Sequence, residues 1–217
     1  MRIEGPRPSQ RGRLHLLAFV ASIPAGTALI AASETAAARA GAVVYAVTML
    51  SLFGTSAAYH VLRWGRAARS RMKRLDHSMI YIFIAGTYTP FCLVTLPGMV
   101  GVAMLVLVWA AAAFGVALRL GRADTISWLA GSLYIAMGWL VLLAAPWLLR
   151  ELSGVQLALL AAGGFVYTVG AIVLQKRLPD PFPAHFGYHE IWHTMVVAAA
   201  VLHYVLIWSV LSGTTPT

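Results

Sequence analysis

Seven times along its length the chain runs for about twenty residues with almost no charged side chain. A helix rising about 1.5 Å per residue needs roughly 20 residues to cross a hydrocarbon layer of about 30 Å. The runs fall at roughly 14–32, 41–62, 76–96, 99–119, 126–148, 154–175 and 187–210. Turn-forming residues punctuate them: Pro97–Gly98, Ser153–Gly154, and Pro179, Pro181 and Pro183. Only 11% of residues are charged, against about a quarter in a soluble domain. Residues 1–217 are therefore expected to form a single all-α membrane domain, a seven-transmembrane-helix bundle with a short leading segment, 1–13. The first run, Leu14–Ala32, exceeds the roughly 7–15 residues of a signal-peptide core and is read as a retained helix. Cys92 is the single cysteine, so no intrachain disulfide is possible.

The basic residues set an orientation. With the N-terminus in the cytoplasm, Arg2, Arg7, Arg11, Arg13, Arg63, Arg66, Arg69, Arg71, Lys73, Arg74, Arg119, Arg122, Lys176 and Arg177 all lie on the inner side. Only Arg39 and Arg150 remain outside. Cytoplasmic loops collect Lys and Arg, so this asymmetry predicts an odd number of spans and a C-terminus outside. The net charge of +9 is then a topology signal, and no nucleic-acid partner is expected. Gly131 and Gly138 on the fifth span, and Gly164 and Gly170 on the sixth, are read as seams where helices approach closely.

Ionisable residues at membrane depth are costly and mark function. The second span descends to the inner side, the third starts there, and so does the seventh. His60, Asp76, His189 and His193 thus share one depth near the inner face. His189 and His193 are four apart, which puts both imidazoles on one helix face. With His60 they supply three nitrogens of a zinc site, leaving the fourth tetrahedral position for water. Ser56, one turn before His60, could hydrogen-bond the site. Asp76 could hold the zinc-bound water or accept its proton. Three imidazoles favour zinc over iron or manganese by softness and geometry. His15, His77 and His185 are read as interfacial. His203, about 15 Å beyond His193 and off its face, is read as a packing residue.

Ser56-Ala57-Ala58-Tyr59-His60, Asp76-His77, Gly86-Thr87-Tyr88-Thr89-Pro90-Phe91 and His189-Glu190-Ile191-Trp192-His193 resemble the haemolysin III family, the bacterial branch of the progestin and adipoQ receptor (adiponectin receptor-like) superfamily. The resemblance covers nearly the whole chain. It implies seven helices with the N-terminus inside, in a bacterial inner (plasma) membrane. It makes His60, His189 and His193 zinc ligands, Asp76 the holder of the zinc-bound water, and Ser56 its support. Many members carry Asn-x-x-Thr-His before the first helix; Arg11-Gly12-Arg13-Leu14-His15 keeps only the histidine.

The resemblance implies zinc-dependent hydrolysis of a lipid amide or ester, in the manner of a ceramidase, with a membrane lipid as substrate or ligand. A second expectation is a non-enzymatic membrane protein, cytolysin-like or acting in membrane-fluidity and lipid homeostasis, with a structural zinc. A third comes from residues 189–193, which read His-Glu-x-x-His; in metalloproteases the Glu of that motif is a general base. The sequence names neither the lipid nor an oligomeric state.

Overall fold

The computed structural model of the chain describes residues 10–121 and 127–213. Arg2, Arg7 and Arg122, three of the charges in the orientation argument, lie outside the described residues. The helices are α1 (Arg13–Ala32), α2 (Ala36–Val61), α3 (Arg66–Val94), α4 (Gly98–Gly121), α5 (Ser127–Trp139), α6 (Ala145–Glu151), α7 (Gly154–Lys176) and α8 (Tyr188–Leu211). Leu140–Ala144 forms a 3-10 segment joining α5 to α6. Among the described residues, seven spans are long and apolar enough to cross a membrane, the fifth being the composite Gly131–Glu151. Among the described residues the regular structure is all helical, save for an isolated bridge between Phe182 and Phe186 before α8.

Two spans differ from the pattern expected of them. The third was predicted to begin at residue 76, but α3 begins at Arg66. Arg, Lys, Ala and Met are good helix formers, so the basic run continues the helix beyond its apolar part instead of forming a loop. Asp76 therefore sits well inside α3, where it is buried. The fifth span changes winding because of Pro146. A continuous α-helix would bond the N–H of residue 146 to the carbonyl of Leu142, and proline has no N–H. The Ala145 N–H takes the Leu142 carbonyl instead, one residue tighter, and the helix resumes with Pro146 in its first turn.

Small residues set the close approaches. A Cβ on Gly170 would lie 2.9 Å from the Trp192 ring, and one on Gly115 would lie 2.6 Å from the Tyr81 ring. These glycines let α7 approach α8, and α4 approach α3, more closely than any side chain allows. Gly138 and Gly164 do otherwise: nothing lies within 4 Å of a Cβ on either, and both line a cavity. At the end of the bundle opposite His189, the Ser153 side chain caps α7 by accepting from the Gln156 N–H. Gln156 in turn donates to Ser209 of α8 at 3.0 Å.

Candidate metal centre

His60 ends up in the last turn of α2, while His189 and His193 occupy the first two turns of α8. One ring nitrogen from each lies within 4.8 Å of the others. His60 Nε2 and His189 Nε2 are 3.2 Å apart. Three imidazoles with nitrogens converging, and neither thiolate nor carboxylate among them, form a donor set that fits a divalent metal of the zinc type. The three histidines, expected at one level, do meet here, where the end of α2 lies beside the start of α8.

Asp76 comes to the same place from α3, its Oδ2 3.9 Å from His60 Nε2. That separation exceeds a direct hydrogen bond, and it leaves the carboxylate beside the triad instead of within it. Ser56 is fully buried, one turn before His60. Its hydroxyl meets His15 Nδ1 at 2.8 Å and neighbours the Asp76 carboxylate.

Beside the triad a cavity of about 570 Å³ lies between the helices, with His189 on its wall. Ser56, Asp76, His77 and His189 line its polar end, and residues such as Ile84, Leu142 and Val196 line the apolar remainder. His77, expected at an interface, is on this wall. Its carbonyl accepts from the Tyr134 hydroxyl at 3.0 Å, tying α3 to α5. Arg119, expected to be one of the loop charges, is also on the wall and only 9% exposed. Its guanidinium lies 5.8 Å from the centre of the Tyr134 ring, within cation–π range.

A family model described as Haemolysin-III related matches residues 5–204. The chain belongs to the haemolysin III family. It is 37% identical over 202 residues to Hemolysin-3 of Bacillus cereus, covering 88% of this chain and 89% of that protein. With the Hemolysin-3 homolog of Bacillus subtilis it shares 35% over 170 residues, or 77% of this chain and 76% of the relative. The human Monocyte to macrophage differentiation factor is 26% identical over 204 residues, which is 91% of this chain and 81% of that one.

This haemolysin III chain keeps only the histidine of the family's leading motif, and yet that stretch closes the site. Arg11 pairs with Glu190 across the bundle. Gly12 takes a left-handed conformation, φ 82°, as the N-cap of α1, and a Cβ there would fall 2.6 Å from His60 Cβ. His15, expected at an interface, is instead buried. Its ring lies parallel to that of His193, with centroids 3.8 Å apart and planes 6° from parallel. Held at Nδ1 by Ser56, it packs against the face of the His193 ring. Nothing in the spacing of residues 11–15 places them there. The signals were a histidine in the opening turn of an apolar helix and its match to the last residue of the Asn-x-x-Thr-His pattern.

Glu190 also has a settled place. Its carboxylate accepts from the Gly187 N–H at 2.9 Å and pairs with Arg11. One oxygen thus caps α8 and the other holds the leading segment. Within the apparent His-Glu-x-x-His motif, the two histidines face the site while the glutamate is engaged at the helix N-terminus.

Proposed function

We propose that this haemolysin III protein is a zinc-dependent hydrolase of a lipid amide or ester, acting from the cytoplasmic side of a bacterial inner membrane. The observation that carries the reading is the meeting of His60, His189, His193 and Asp76 beside a largely apolar cavity that Asp76 and His189 line. The triad would hold the metal, which when bound supplies Lewis-acid polarisation of a carbonyl and acidifies water. The apolar lining of the cavity suits an alkyl chain, and a chain held there would bring its carbonyl to Asp76. Asp76 holds the attacking water by hydrogen bonding and takes its proton as the oxygen adds to the carbonyl carbon. The same proton then passes to the departing amine or alcohol. Ser56 and His15 keep the carboxylate and the His193 ring in register for that step.

The charge pattern supports the orientation, because Arg63 to Arg74 and the triad belong to the same end of the bundle. The proteolytic reading loses its base, since Glu190 is held by Arg11 and Gly187. An apolar cavity also suits an alkyl chain better than a peptide backbone, whose polar groups need partners.

The test joins metal content to turnover. Purified protein is expected to carry about one zinc per chain, and His189→Ala/His193→Ala to carry none. The loaded protein is expected to release fatty acid from one member of a panel of lipid amides and esters. Metal without turnover on any of them would leave zinc a structural role, and no metal in the wild type would end the hydrolase reading.

A further inference from the structure

Thr87, Thr168 and Tyr88 on the cavity wall are already satisfied by backbone carbonyls. Thr87 donates to the Phe83 carbonyl, Thr168 to that of Gly164, and Tyr88 to those of Met137 and Gly138. His203 Nδ1 and the Tyr167 hydroxyl are not: both are buried, have no hydrogen-bond partner, and belong to residues on the cavity wall, as do His15 Nε2 and Arg119 Nε. A buried polar group left unpaired costs free energy comparable to a lost hydrogen bond. Their persistence in an apolar wall calls for an explanation.

Three features make the pair a built site. His203 is 7% exposed, and its ring is seated against Gly163, where a Cβ would fall 2.3 Å from Nε2. That Nε2 meets the Leu160 carbonyl at 3.3 Å. A carbonyl can only accept, so Nε2 carries the proton and Nδ1 presents a lone pair. The Tyr167 ring lies 5.6 Å from the His203 ring, centre to centre, and its hydroxyl both donates and accepts. A single group that donates to Nδ1 and accepts the Tyr167 proton satisfies both atoms in full. A hydroxyl does this, whereas one amide N–H cannot take the Tyr167 proton and a carbonyl cannot donate to Nδ1.

We propose that His203 and Tyr167 form a polar subsite that selects a lipid chain bearing a hydroxyl group partway along its length. His203 follows His193 by ten residues on α8, so the subsite is about 15 Å along the helix from the metal centre. The bound chain therefore carries its hydroxyl that far from the carbonyl at the triad. The subsite rests on lipid occupancy of the cavity but not on hydrolysis, and water is the competing occupant.

Binding of free fatty acids to the purified protein in nanodiscs separates these cases. Stearic acid is compared with monohydroxystearic acids whose hydroxyl is moved along the chain. One position, or two adjacent ones, is expected to bind about tenfold more tightly than stearic acid, the worth of one to two net hydrogen bonds. Tyr167→Phe, which removes a single oxygen, should erase that preference while leaving stearic acid binding and zinc content unchanged. His203→Phe should do the same. Equal affinity for stearic acid and every hydroxystearic acid would overturn the subsite and leave its two atoms to water, as would a preference that survives Tyr167→Phe. A preference that appears in a protein without lipid turnover would uphold the subsite and sink only the hydrolase reading.

Discussion

Gly12→Ala tests whether the leading segment shapes the metal centre. Gly12 sits at φ 82°, where an L-residue costs roughly 1–2 kcal/mol. The added Cβ would start 2.6 Å from His60 Cβ and 3.1 Å from Val61 Cγ2. Carbon atoms rest at about 3.5–4.0 Å, so the two segments must part by about 1 Å. Metal sites tolerate departures of only about 0.2 Å in ligand distance. If the chain keeps its ligands in place, it carries the conformational penalty as lost affinity, about 5- to 30-fold. If His60 moves instead, the loss approaches the roughly 10–100-fold seen when outer partners of a ligand are removed. Zinc affinity is measured by competition with a chromophoric chelator, with Gly154→Ala as control, because nothing lies within 4 Å of a Cβ there. Gly12→Ala protein that binds zinc as tightly as wild type would refute the argument that this approach constrains the triad.

Asp76→Asn should retain zinc but lose at least about 100-fold in turnover, the usual scale of a general base; undiminished hydrolysis would remove Asp76 from the chemistry. Glu190→Gln should lower stability by about 1–3 kcal/mol through loss of a charge-assisted hydrogen bond, read by thermal unfolding. Its turnover per bound zinc should stay within about threefold of wild type, whereas a drop of about 100-fold or more would restore the glutamate as a base. A reporter fused after Thr217 should be active only outside the cytoplasm, and a cytoplasmic signal would overturn the proposed orientation.

Much of this was legible in the sequence because lipid is an undiscriminating solvent. It demands apolar runs of fixed length, and those runs marked the spans at once. Helix phase and the alternation of direction then brought His60, Asp76, His189 and His193 to one level without any knowledge of packing. What composition could not reveal was whatever depended on contact. The basic start of α3 was invisible because helix formation there does not require apolar residues. The change of winding before Pro146 came from one missing N–H in a run that otherwise reads as a uniform span. His15 and Arg119 looked like boundary residues because their burial is supplied by other helices. Glu190 looked catalytic by spacing, and only the position of Arg11 shows where its carboxylate is spent.

The pairing of Arg11 with Glu190 joins residues 179 positions apart. On a ribosome the chain emerges from its N-terminus, and domains assemble as their parts become available. A nascent chain that has inserted six spans holds Arg11–His15, Ser56, Asp76 and a single one of the three imidazoles. The remaining two arrive together in the opening turns of the last helix, along with the carboxylate that pairs with Arg11. Any metal the triad takes up would therefore bind late in biogenesis, in a molecule whose final helix has been made and seated.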